Sequence, residues 1–158
     1  MPDTFESLPI DELLLVLLKQ MKRPLASVGI VITDEEARQH VRQRIDQKSG
    51  PPALVQGLIQ AVEESEKVLA RWGLTFQQSL DTPMDKIPGW ETTAEFLELA
   101  NEKVNAELRI TLGAALALAL GGETRYLPYL RHLMNGDYSD ESIIARRVLE
   151  FTGTPPDP

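Results

Sequence analysis

The segment that most constrains this chain is Ile110-Thr111-Leu112-Gly113-Ala114-Ala115-Leu116-Ala117-Leu118-Ala119-Leu120, eleven residues without a charge. It follows directly on an amphipathic stretch that opens at the capping box Thr92-Thr93-Ala94-Glu95, and Gly121-Gly122 ends it. Alanine and leucine favour a helix throughout. Phe96, Ala100, Val104, Leu108, Leu112 and Leu116 recur at i+4, which predicts one long helix with its apolar face along that row. Its second half is apolar all round and belongs inside a core. As a helix those eleven residues span about 16 Å, roughly half the ~30 Å of a bilayer interior, so the expectation is a core helix without a membrane role.

Helical periodicity continues through the rest of the chain, and Val28-Gly29-Ile30-Val31-Ile32 alone has a strand-like pattern. One strand makes no sheet, so this segment is expected to be a buried connector or, as the alternative, a helix extension. The fold class is therefore all-α, an irregular bundle of about six helices. The first is expected over Pro9 to Lys22, capped by Ser7 and stopped by Pro24. The second runs over Asp34 to Gln47 behind the capping box Thr33-Asp34-Glu35-Glu36, and the third from Pro51 or Pro52 to Trp72. The long helix is fourth, a fifth runs from Thr124 or Leu127 to Met134, and the sixth from Asp140 to about Phe151. The apolar run Leu13 to Leu18 follows acidic rather than basic residues, which fits a buried helix and not a signal peptide.

With 158 residues the chain is expected to form one domain over residues 1–153, with a disordered tail at 154–158. Size scaling gives about 69% of the unfolded surface buried, ample for a core without staples. There is no cysteine, which excludes disulfides, thiolate metal sites and cysteine nucleophiles and fits a cytoplasmic location. The net charge is -8, and most of the excess lies between residues 51 and 107. That field repels phosphate, so nucleic acid is not an expected partner.

Three stretches together are similar to a known repeat. Gly113 to Glu123 is an alanine-rich helix ending in Leu-Gly-Gly and an acidic residue; Tyr126-Leu127-Pro128-Tyr129-Leu130-Arg131-His132-Leu133 and Asp140 to Gly153 follow it. Over residues 107–153 this resembles HEAT-like helical repeats, including the short type of phycobilin lyases. The resemblance implies a helix pair at the C-terminal end and, commonly, protein binding. It implies no catalytic residue. No second copy of the period occurs in residues 1–92, so a regular solenoid is not expected.

Catalytic constellations are sparse. His40 has Glu36 at i−4 but no second metal-ligand motif, so no metal and no cofactor are expected. His132 lies beside Tyr129 at i−3 and no nucleophile stands at a recognisable spacing. Arg38, Arg42 and Arg44 are interspersed with Glu35, Glu36 and Asp46, which points to ion pairs within the chain. Between Trp72 and Trp90 lies a long connection that holds both tryptophans and Phe76, with one helical turn expected around Thr75 to Leu80. Either these side chains plug the gap between the third and fourth helices or they anchor a partner. The candidate ligand- or partner-binding residues are thus Trp72, Phe76, Trp90, Tyr126, Tyr129 and His132. The function expected is a non-enzymatic protein-interaction or self-association module. The alternative is a helical domain, possibly enzymatic, with a small-ligand pocket near residues 72–91.

Overall fold

The computed structural model describes residues 5–47, 50–82, 94–135 and 140–153, the side chains of residues 95 and 96 excepted. The expectations for Trp90, for the capping hydroxyls of Thr92 and Thr93 and for the tail 154–158 fall outside the described residues. Eight α-helices and no strand are found among those described: α1 (Ile10–Gln20), α2 (Lys22–Ser27), α3 (Asp34–Gln47), α4 (Pro52–Arg71), α5 (Phe76–Asp81), α6 (Ala94–Gly121), α7 (Leu127–Met134) and α8 (Asp140–Thr152). The all-α class stands, with two more helices than the six expected.

One of the extra helices comes from Pro24. Instead of stopping the first helix, it occupies the third position of α2, where its missing N–H falls among amides that lack intrahelical acceptors anyway. The break comes earlier, at Met21, whose N–H is shared between the Leu17 and Leu18 carbonyls while its own carbonyl accepts from Leu25. Ser7 is not the cap of α1; Pro9 holds that place. Beyond α2, Gly29 at φ 91° lets Ile30 N–H reach back to Leu25 O at 2.9 Å. The connector that follows buries Ile32 but leaves Val31 in solvent.

The capping box of α3 is formed: Glu36 N–H donates to Thr33 Oγ1 at 3.1 Å and Thr33 N–H to Glu36 Oε1 at 3.2 Å. Those bonds hold the Glu36 carboxyl below its ordinary value, and the Lys22 ion pair does the same for Asp34. α3 packs on α1 by a narrow edge, Ala37 and Val41.

The central contact is α4 along α6. α4 supplies Leu54, Leu58, Ala61, Val62 and Leu69. α6 supplies Ile110 and the alanine-leucine run, every member of which from Ala114 to Leu120 is buried. Close approach depends on glycine: a Cβ on Gly113 would lie 2.7 Å from Val62 Cγ2, and one on Gly121 2.6 Å from Val55 Cγ2. α7 and α8 pack on each other and on α6. By length and composition Leu97–Gly121 would suffice to cross a membrane, yet 67% of its apolar window is covered by the other helices.

The expected apolar row on α6 needs correction. Among its first residues the buried ones are Ala100, Lys103, Ala106 and Ile110, whereas Val104 and Leu108 face solvent. The reason is geometric. With 3.6 residues per turn each i+4 step advances about 40°, so the row from Phe96 to Leu116 drifts about 200° around the axis and shares no single face. Leu112 and Leu116 are buried because the second half of α6 is enclosed on all sides.

Candidate functional site

A short helix places the first candidate. Thr75 and Gln78 form a reciprocal capping box, Gln78 N–H to Thr75 Oγ1 at 3.1 Å and Thr75 N–H to Gln78 Oε1 at 3.0 Å, which starts α5 after the turn at Gly73. α5 then directs Phe76 inward. Its ring meets Tyr129 edge-on at 5.3 Å between centroids, and Tyr129 lies 5.8 Å from Tyr126. Phe76 and Tyr126 are buried and Tyr129 is half-buried. Three of the six candidates therefore come together, as a packed aromatic cluster that joins α5 to α7. Burial pushes the Tyr126 hydroxyl up to about 12, with Arg125 opposing and Glu66, Glu63 and Glu123 adding to it. Tyr129 is raised by burial and by Glu66. Glu66 itself is raised, chiefly by desolvation.

His132 stands at the rim of this cluster. Its Nε2 lies 3.3 Å from Asp81 Oδ1, and Asp81 is largely exposed. The Ser79 hydroxyl, on the same short helix as Asp81, donates to the Phe76 carbonyl at 2.7 Å. Trp72, half-buried, ends α4 with its N–H on Leu69 O. Trp90 is outside the described residues.

Lys103 was not among the sequence candidates. Its side chain is 2% exposed on α6, with Nζ 3.0 Å from Glu107 Oε1 and 3.5 Å from the Ser79 carbonyl. The signal was present in the spacing of Ala100, Lys103, Ala106 and Ile110, which follows 3.6 residues per turn better than the i+4 row does. An ammonium so placed pairs within α6 and sits against the last turn of α5.

The arginines of α3 depart from expectation. Arg44 turns inward, donates to the Ala119 carbonyl and lies 5.2 Å from the Phe151 ring centroid. Arg38 and Arg42 make no ion pair among the described residues; with Lys19, Asp11, Glu12 and Asp46 they line an open cleft of about 580 Å³ between α1 and α3. Three smaller clefts lie at the end of α6 beside Gly121, between α8 and Leu8, and between α2 and α6, the last of about 330 Å³ with Met21, Pro24, Leu108 and Leu112. None of these four is lined by Tyr126, Tyr129 or His132.

The outer face of α6 is the remaining feature. Leu97 is 58% exposed, Val104 50% and Leu108 42%, and all three fall on one side of the helix, turned away from Lys103 by about 100–140°. The first half of α6 thus has a lysine inside and branched aliphatic side chains outside. No group of three or more acidic or imidazole side chains suited to a metal occurs among the described residues. Fold and surface together define an all-α bundle with an apolar face on its longest helix. No protein family, curated protein or solved structure matches the chain.

Proposed function

We propose that this protein is a non-enzymatic helical interaction module that works by association through protein surface. The observation that carries this reading is the apolar outer face of α6, because aliphatic side chains held in water along a single helix face favour a partner that covers them. The aromatic residues take the supporting part. Phe76, Tyr126 and Tyr129 stabilise the joint between α5 and α7, while α6 presents the contact surface. The resemblance of the sequence at residues 107–153 to HEAT-like repeats agrees with a role in protein binding, and the lack of cysteine agrees with a cytoplasmic setting.

Sedimentation velocity of the full chain, from low micromolar to millimolar concentration, tests the self-association form of this reading. A mass that climbs with concentration is expected. A protein that stays monomeric throughout removes self-association and leaves only a heterologous partner, which must then bind with defined stoichiometry and be lost in Val104→Glu.

A further inference from the structure

We propose that the partner on the outer face of α6 is a second copy of this chain, docked antiparallel about a two-fold axis that passes between residues 102 and 103. This rests on the interaction reading above and specifies its partner and register.

The stripe itself has the right spacing. Leu97, Asn101, Val104 and Leu108 stand four, three and four residues apart, the alternation that keeps a seam facing a neighbouring helix for two heptads. In the antiparallel register Leu97 meets the partner's Leu108 and Asn101 meets the partner's Val104. The exposed flank beside the stripe is polarised. Glu98 stands near its start, together with Glu102, which Arg71 already holds; Arg109 and exposed Arg23 stand at its other end. A two-fold axis sets Glu98 opposite the partner's Arg109 and Arg23, twice over.

The cleft gives the register independently. The 330 Å³ hollow between α2 and α6 is floored by Met21, Pro24 and Leu112 and opens next to Leu108. In this register the partner's Leu97, the most exposed leucine of the stripe, enters that hollow as a knob enters a hole. Parallel pairing would let Asn101 meet its own copy, but its two-fold axis runs along the helices, so it carries the Glu98 and Arg109 flank to opposite sides of the seam and places the partner's Leu97 far from the hollow. Three partly exposed aliphatic side chains fall short of the ~800 Å² per partner of a standard interface, so the dimer is weak and concentration-dependent. Rim charges at such an interface chiefly select orientation.

The chain has no cysteine, so single engineered thiols report on register without background. Under mild oxidation, Leu97→Cys mixed with Leu108→Cys is expected to give a cross-linked dimer, and each variant alone is not. Val104→Glu, at a half-exposed position, is expected to abolish concentration dependence with an unchanged thermal melt. Glu98→Arg weakens the dimer several-fold and Glu98→Arg with Arg109→Glu restores it. Self-linking of Leu97→Cys overturns the antiparallel register in favour of the parallel one. A mass that rises with concentration while no thiol pair links, or persists in Val104→Glu, overturns the α6 seam and leaves self-association through another surface. A monomer at all concentrations overturns the second copy as occupant, and the wider interaction reading then falls to the partner test described for it.

Discussion

Lys103 offers the most direct test of how α6 is placed. Its ammonium is enclosed and has two contacts, the Glu107 carboxylate at 3.0 Å and the Ser79 carbonyl at 3.5 Å. Lys103→Met keeps an unbranched stem of similar reach and removes the charge. Breaking a fully buried ion pair costs about 3–5 kcal/mol, mostly through the partner left uncompensated. Glu107 retains 21% of its side-chain exposure, so water relieves part of that penalty. The Ser79 contact is long and adds little. A loss of about 2–3 kcal/mol is therefore expected, at or just below the lower end of the range for fully buried pairs. For a chain of this length that is a fall in melting temperature of roughly 5–10 °C.

The double variant Lys103→Met/Glu107→Gln should recover most of the loss, because an apolar and a neutral side chain no longer leave a stranded charge. Thermal melts by circular dichroism on the wild type, both single variants and the double variant close the cycle. The coupling between the two sites should exceed about 1 kcal/mol, well outside the range for exposed pairs. If Lys103→Met melts within about 2 °C of wild type, a loss below 1 kcal/mol at this chain length, the ammonium is solvated and the inner face of α6 is not the one described.

Gly113→Ala sets helix propensity against packing: alanine is worth about 1 kcal/mol in a helix interior, but overpacking of a tight core costs about 1–3 kcal/mol. With Val62 Cγ2 only 2.7 Å from the new Cβ, the variant should melt below wild type, and the same change in a Val62→Ala background should raise the melt. Tyr126 has a folded pKa raised above its ordinary 10, so the stability it contributes is complete below pH 10 and is lost as pH rises towards about 12. Tyr126→Phe should flatten the alkaline limb of the melting curve between those values and leave a smaller slope from Tyr129, which is raised in the same sense. Asp34 and Glu36 are lowered, so their stabilisation is complete above 3.8 and 4.5 and is lost as pH falls through the lower folded values. Thr33→Ala should cost about 1 kcal/mol at neutral pH and shrink in acid, and amide exchange in the first turn of α3 reports it.

Local signals in the sequence led to the right structure wherever one residue decides the outcome. Thr33 and Glu36 place the start of α3, the prolines at 51 and 52 the start of α4, and Gly121 the end of α6, because each meets a need of nearby backbone atoms. The short turn expected at Thr75 to Leu80 is the helix α5 for the same reason. Position-dependent signals were harder. Proline both ends and begins helices: Pro24 is expected to stop the first helix, whereas the ladder breaks at Met21 and Pro24 lies in the first turn of α2. Arg44 is expected to pair with the carboxylates interspersed along its own helix, because the groups it actually meets, the Ala119 carbonyl and the Phe151 ring, are remote in sequence. The aromatic cluster was half legible: residue types marked Phe76, Tyr126 and Tyr129, but their burial depends on how α5 meets α7.

The inverted polarity of α6 follows from where its rotation is set. Gly113 and Gly121 fit only where they face Val62 and Val55 of α4, since a side chain at either place would collide. Counting about 100° per residue, these glycines, Ala106, Ile110 and Lys103 lie within about 40° of a common direction towards α4, and Leu97, Val104 and Leu108 lie within about 40° of the opposite one. Rotating the helix to bury Val104 and Leu108 would turn both glycines away from α4, opening voids there and driving larger side chains into Val55 and Val62. A continuous helix has one phase along its length. The apolar second half, which has the most to lose from poor packing, chooses that phase, and the first half inherits it. Lys103 is consequently carried inward, where Glu107 one turn later and the end of α5 accommodate it, and the stripe from Leu97 to Leu108 is carried outward. The buried cation and the exposed apolar face are two consequences of one packing constraint, so a variant that relaxes the glycine contacts should alter both together.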